Sequence, residues 1–294
     1  MSSKIIDGKV IAEQVLTETQ SGVAAFRGAH GLAPGLAFIR IGEDPASVVY
    51  VGAKAKASER VGIQSQTFVL PATSTEAQVL ELVQTLNQQK TVHGILVQSP
   101  LPNGISQDRI FESIDPRKDV DGFHPVNMGK LAVGDSSGFV ACTPAGVHQL
   151  LIRSKISIPG KHVVILGRSR IVGNPMALLL MEKGKDADAT VTVAHSKTQN
   201  LPEITHKADI LIAALGQAQF VKGDMVREGT VVIDVGINRI SDTTKKNGTR
   251  LVGDVDYEAV SPKASWITPV PGGVGPMTIA MLMANTLKAA QQQV

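Results

Sequence analysis

The sequence predicts an α/β protein of two α/β domains with a cleft between them, the second a Rossmann-type doubly wound parallel sheet. Three observations predict this. Strand and helix patterns alternate through both halves of the chain, and such alternation implies parallel strands covered by helices on both faces. A looser, Asp- and Gly-rich stretch from Asp115 to Gly138 interrupts the alternation and reads as the connection between two units. Finally, His162-Val-Val-Ile-Leu166 runs directly into a glycine-bounded loop and then an apolar helix. That is where a doubly wound fold binds a pyrophosphate, at a helix N-terminus.

Taken in order, Gly8 to Arg27 has a helical pattern and Leu36 to Ile41 is strand-like. Asp44-Pro45 opens the next helix, with Asp as N-cap, Pro at the first helical position and Gly62 just past the far end. Ile63 to Leu70 then reads as strand, Glu76 to Gln89 as helix and Val92 to Val97 as strand. Beyond Pro144 the alternation resumes, with strands at His162 to Leu166, Thr190 to Ala194, Ile210 to Ala214 and Thr230 to Asp234. Pro276 sits where a last helix should begin, ahead of the apolar run Met277 to Leu287. These elements divide into residues 1–140 with the C-terminal helix 276–294 as one domain, and 141–275 as the other.

At 294 residues, each domain can bury a core of its own. A hydrophobic content of 43% and a charged content of 19% are those of a soluble globular protein. The net charge of +3 is spread without a basic run, which argues against nucleic acid or an anionic membrane as partner. One cysteine, Cys142, leaves no internal disulfide framework and fits a reducing compartment. The N-terminus is not a secretory signal, and no stretch of 18 uninterrupted apolar residues occurs, so a cytoplasmic address is expected. The seven histidines lack paired ligand spacing, so no metal site is expected.

The glycine-bounded loop runs Gly167-Arg168-Ser169-Arg-Ile-Val-Gly173. Dinucleotide folds that prefer NAD end the second strand in an acid that bonds the ribose hydroxyls. Here that strand ends in His195-Ser196-Lys197. A hydroxyl, an imidazole and the nearby Arg168 would welcome a 2′-phosphate, since the arginine fork donates two hydrogen bonds at once. The cofactor expected is therefore NADP.

On the Asp44-capped helix, Ser47, Tyr50 and Lys54 fall on one face. Lysine and tyrosine one turn apart are plausible acid–base partners, provided burial lowers the lysine pKa; a solvated lysine, as expected for Lys56, is the bland alternative. Gln98 ends a strand, where α/β ligand sites form, and could hold a lysine amine or read a ligand. Asp121, in the turn Lys118-Asp-Val-Asp121-Gly122, would by itself pass as a structural residue. In Thr268-Pro-Val-Pro271-Gly272-Gly273-Val-Gly-Pro-Met-Thr278, three prolines and three glycines make a stiff loop with an exposed main chain. Such a loop suits a flat polar ligand, or serves as a plain hinge.

Together these residues resemble the bifunctional methylenetetrahydrofolate dehydrogenase/cyclohydrolase family. The motifs are Tyr50-x-x-x-Lys54, Val97-Gln98-x-Pro100-Leu-Pro102, Lys118-Asp-Val-Asp121-Gly122, the 167–173 loop, Asp234-Val-Gly-Ile-Asn238, Gly253-Asp-Val255 and Pro269 to Thr278. The resemblance implies NADP-dependent oxidation of 5,10-methylenetetrahydrofolate, then hydrolysis of the methenyl cation to 10-formyltetrahydrofolate. It implies Lys54 as acid–base group, Tyr50 stacked on the pterin, Gln98 tuning the amine and Asp121 accepting from the pterin. Ser47 and the Pro271-Gly272-Gly273 main chain would complete the folate site. Arg168, Ser169 and Ser196, on the Gly167 loop and the next strand, would hold the cofactor phosphates, with Ile237 at the nicotinamide end. A homodimer is the family's usual state. The rivals are a dehydrogenase of a quinate- or amino-acid-like substrate on a similar fold, or a sensor that kept the fold without the chemistry.

Overall fold

The computed structural model describes residues 3–245 and 248–294. The chain divides into two compact units: Glu13–Cys142 with Ile279–Val294, and the N-terminal segment through Ala12 with Thr143–Thr278.

In the first unit a three-stranded parallel sheet has the order β3-β2-β4, with β2 at Gly35–Ile41, β3 at Gln64–Leu70 and β4 at Gly94–Val97. Every residue of β2 is buried, as a central parallel strand requires. Its Leu36 and Phe38 pack with Leu96 against Val51 and Val61 of α2 (Pro45–Val61) and Met283 of α10 (Val274–Gln292). Ala37, Ile39 and Ile41 face the other way, onto Val79, Val83 and Leu86 of α3 (Glu76–Gln88) and Phe111 of α4 (Gln107–Ser113). Period-two side chains thus build two cores from one strand. Each large side chain buried there is worth roughly 1.5–3 kcal/mol. Because β2 lies between β3 and β4, the strand order turns back across β2, and α2 starts at the carboxyl end of that strand.

The second unit carries a six-stranded parallel sheet of order β1-β11-β8-β7-β5-β6. Its strands are β1 (Lys4–Ile5), β5 (His162–Leu166), β6 (Thr190–Ala194), β7 (Ile210–Ala213), β8 (Val231–Asp234) and β11 (Trp266–Ile267). Register pairs Leu166 with both Ala194 and Ala213, and Ala213 with Asp234, so the carboxyl ends are level. The switch point falls at β5, between β6 and β7, the position where open α/β sheets bind ligands. A separate antiparallel hairpin joins β9 (Asn238–Ser241) to β10 (Thr249–Val252).

Three expectations change. The N-terminal segment through Ala12 lies with the second unit and not the first, because β1 pairs in parallel with β11. The stretch 115–138 is not merely a connection: α5 (Pro125–Ala132) forms there, N-capped by His124, and Asp119 bridges to Ile95 of β4. The last helix also begins before Pro276, at Val274. Helices α1 (Gly8–His30), α6 (Cys142–Arg153), α7 (Gly173–Met181), α8 (Leu201–Thr205) and α9 (Tyr257–Val260) complete the chain. Among the described residues no helix is long and apolar enough to cross a membrane.

Candidate active site

Asp44 caps α2 as expected, accepting from the Ser47 amide at 2.8 Å, and Gly62 closes the helix in the left-handed conformation. That capping fixes where the helix face points. Ser47, 4% exposed, sits in the first turn with its hydroxyl turned to the Asp44 carboxylate. Tyr50 stands 42% exposed, Lys54 is half-buried, and Lys56 is exposed. The Lys54 Nζ donates to Gln98 Oε1 at 3.0 Å, while Gln98 Nε2 donates to the Ser99 carbonyl at 2.6 Å. The second bond orients the amide so that its oxygen faces the lysine. An amide oxygen accepts an N–H from an ammonium or an amine alike, so Gln98 can hold Nζ in place through a proton transfer.

The Lys118-to-Gly122 turn splits its charges by task. Buried Lys118 donates to the Leu86 and Gln89 carbonyls at 3.0 and 2.8 Å, closing the end of α3. Asp119 is spent on structure too, accepting from the amides of Phe123 and His124 and from Asn127 Nδ2 at 3.2, 2.8 and 2.8 Å. Asp121 is different. Burial pushes its carboxyl above the usual range, as it does that of Asp119, but at Asp121 the charge of Lys54 acts against burial. The carboxylate and the amine therefore share one electrostatic neighbourhood, with the Cys142 thiol beside them. Asn285 of α10 holds the flanking main chain, donating to the Val120 and Val140 carbonyls at 2.9 and 3.1 Å.

In the second unit Gly167 leaves β5 at φ 119°, and a Cβ there would lie 2.3 Å from the Ala214 carbonyl oxygen. Only glycine fits both demands. Ser169 Oγ accepts from the amides of Val172 and Gly173 at 3.1 and 3.4 Å, capping α7 from within the loop. Its own proton is left to donate outward. Arg168 is exposed on the same loop. At the end of β6, Thr198 Oγ1 accepts from the His195 amide at 2.9 Å, tightening a turn that presents exposed Ser196. Beside Ser196 opens a pocket of about 250 Å³ lined by Leu166, Ala194, Leu201, Leu215 and Phe220. An apolar slot flanked by hydroxyls, at the level ends of parallel strands, fits an aromatic base and its sugar. Helix N-terminus, arginine and hydroxyls fit phosphate groups.

Ile237, 45% exposed, follows β8, and its side chain lies near Gly275. The 269–273 loop is tied to that region: Thr268 Oγ1 accepts from the Asp234 amide at 2.7 Å, and the Val270–Pro271 peptide is cis. Pro271 is exposed, Gly272 half-buried and Gly273 buried.

Asp234 is buried and accepts from the amides of Gly236, Asp254 and Val255 at 3.0, 2.9 and 2.9 Å. Burial outweighs these donors and, with the Asp254 charge, raises its carboxyl to about 7. An acid whose folded pKa exceeds its ordinary 3.8 binds its proton more readily folded than unfolded. Its stabilisation is full below about pH 4 and is lost as pH rises toward 7. Between about pH 7 and pH 5 this amounts to roughly 2 kcal/mol. Denaturant titrations at both values should show the wild type gaining that much more on acidification than Asp234→Asn.

The structure thus gathers Ser47, Tyr50, Lys54, Gln98 and Asp121 in the first unit. Gly167, Arg168, Ser169 and Ser196 stand together in the second, with Ile237, Pro271, Gly272 and Gly273 on its other loops. The sequence reading missed Asn285 and the apolar slot, and it quoted Asp254 within Gly253-Asp-Val255 without a role; their contacts cross long sequence separations.

Comparison with known proteins bears on both units. Residues 6–121 match the family model for the tetrahydrofolate dehydrogenase/cyclohydrolase catalytic domain, and residues 141–294 match that family's NAD(P)-binding domain. The bifunctional protein FolD of Chlorobium luteolum is 54% identical over 98% of both chains. Among solved structures, the bifunctional FolD of Campylobacter jejuni is 47% identical, covering both chains fully, with a TM-score of 0.93. The Trypanosoma brucei FolD, complexed with NADP and an inhibitor, is 39% identical over 99% of this chain and 98% of its own, also with a TM-score of 0.93.

Proposed function

Since this chain belongs to the tetrahydrofolate dehydrogenase/cyclohydrolase family, we infer that it is a bifunctional, NADP-dependent one-carbon enzyme. It oxidises 5,10-methylenetetrahydrofolate to the 5,10-methenyl cation and hydrolyses that cation to 10-formyltetrahydrofolate. The observation that most directly supports a site for the second step is the Lys54–Gln98 contact beside Asp121.

NADP, when bound, supplies the hydride acceptor. The chain's own residues bind and align. Arg168, Ser169 and Ser196 hold phosphate, and the slot beside Ser196 takes the base. Asp121 accepts hydrogen bonds from the pterin amide and amino groups, Tyr50 stacks on the ring, and Ser47 and the Pro271-Gly272-Gly273 main chain add contacts. In hydrolysis, water adds to the methenyl carbon. Lys54 takes a proton from the attacking oxygen and returns one to N5 as its bond to that carbon breaks. Gln98 keeps Nζ in place throughout.

Purified protein mixed with methylenetetrahydrofolate and NADP should develop NADPH absorbance, with a methenyl absorbance that decays as the ring opens. A protein that merely senses nucleotide, or that oxidises a different substrate, would give neither signal. We further propose a cytoplasmic homodimer, to be checked by sedimentation.

The reading also predicts a cofactor effect. Arg168→Ala should raise the KM for NADP far more than that for NAD. One charge-assisted contact to phosphate is worth roughly 1.5–3 kcal/mol, about 10- to 150-fold. Equal weakening with both cofactors would place Arg168 on the shared pyrophosphate instead.

A further inference from the structure

Asp254 belongs to none of the reactive groups above, yet it is fully buried and saturated with donors. Its Oδ2 accepts from the amides of Leu215 and Gly216 at 2.6 and 2.9 Å. Its Oδ1 accepts from the Gln217 amide at 2.9 Å and from Asn238 Nδ2 at 2.8 Å. Three consecutive amides turned onto one acceptor form the kind of concavity that elsewhere captures a free anion. Here the chain fills it with its own carboxylate.

The placement of these contacts gives them meaning. Leu215 to Gln217 leave the carboxyl end of β7, and the Ala214 carbonyl just before them packs against Gly167 of the phosphate loop. Asn238 follows Ile237 beyond the carboxyl end of β8. Asp254 is itself fixed from β8, because Asp234 accepts from the amides of Asp254 and Val255. A Cβ on Gly253 would lie 1.7 Å from Asp234 Oδ2, so the segment can come this close only as glycine. One chain of contacts therefore runs from β8 through Asp254 to the loop beside Gly167 and to the residue after Ile237.

We infer that Asp254 is a positioning residue for hydride transfer, locking the loops after β7 and β8 into the single arrangement that aligns the cofactor's nicotinamide end. The inference rests on the two-step reading given under Proposed function. That reading offers an internal control, since hydrolysis of the methenyl cation needs no cofactor. Misplacement of a reacting group by about 1 Å can cost about 10²-fold in rate. A general loss of fold would instead lower both activities together.

The test uses the full chain, with Asp254→Asn, which turns an amide donor of its own against the loop amides, and Asn238→Ala, which removes one contact only. Dehydrogenase rates are measured against NADP concentration, and hydrolysis of methenyltetrahydrofolate is measured without cofactor. For Asp254→Asn we expect dehydrogenase kcat to fall by about 10²-fold and KM for NADP to rise, with hydrolysis within about twofold of wild type. Asn238→Ala should shift the ratio of the two activities the same way by about tenfold. Parallel loss of both activities, or an unchanged ratio in Asn238→Ala, overturns the inference, and the latter decides alone if Asp254→Asn does not fold. Wild-type protein lacking either activity would instead sink the functional reading itself.

Discussion

Asp121→Ala is expected to raise the KM for both folate substrates by about 10²- to 10⁴-fold while NADP binding is retained. The figure follows from two lost hydrogen bonds to a charged acceptor, each worth about 1.5–3 kcal/mol. Stability should move the other way. The Asp121 carboxyl is held above its ordinary pKa by burial, so the folded state bears a cost for ionising it. Alanine removes that cost, and the melting temperature at neutral pH should hold or rise. Its neighbour Asp119 makes the contrast, since its carboxylate accepts from Phe123, His124 and Asn127 and ties the turn to α5. Asp119→Ala should lower the melting temperature instead. If Asp121→Ala melts early and keeps near-normal kinetics, Asp121 is a turn residue and does not read the pterin.

That contrast marks where sequence reasoning stops. Two aspartates two positions apart in an Asp-Gly turn look alike, and only tertiary contacts tell the occupied carboxylate from the other. Long elements were legible because they carry several periods of their pattern: β2, α2 with its Asp44 cap, and β5 with its loop fall where expected. Two-residue strands carry no period, so β1 and β11 left no trace, and with them went the place of the N-terminal segment. Helices α4 and α5, of seven and eight residues, make only about two turns each.

The 167–173 loop shows the same limit inside a motif that was read. Ser169, expected on the cofactor, also caps α7, a use that depends on loop geometry and not on residue type. Asn285 and Asp254 reach across 165 and 39 positions to their partners. No local pattern encodes such a contact.

Lys54→Met should separate the two chemistries. Methionine keeps an unbranched apolar stem of similar length and removes the amine, so packing on the α2 face is largely preserved. Hydride transfer needs alignment above all, whereas opening the methenyl ring needs a proton carrier at the attacked carbon. Hydrolysis should fall by at least the roughly 10²-fold typical of a lost acid–base group, and dehydrogenase activity should fall less. Methenyltetrahydrofolate would then accumulate, visible in the near ultraviolet. A second signature follows from the charge that Lys54 places near Asp121. That charge lowers the Asp121 pKa against the effect of burial, so its loss should raise it further. Asp121 accepts from the pterin amide and amino groups together only when ionised, so folate KM in Lys54→Met should begin to rise at a higher pH on acidification than in the wild type. Gln98→Leu is the companion variant: it leaves the amine but removes the oxygen 3.0 Å away that holds it. It should slow hydrolysis without moving that folate limb toward the Lys54→Met position. If Lys54→Met opens the methenyl ring at the wild-type rate, Lys54 is not the proton carrier, and a shifted folate limb would then leave it only the role of electrostatic partner to Asp121.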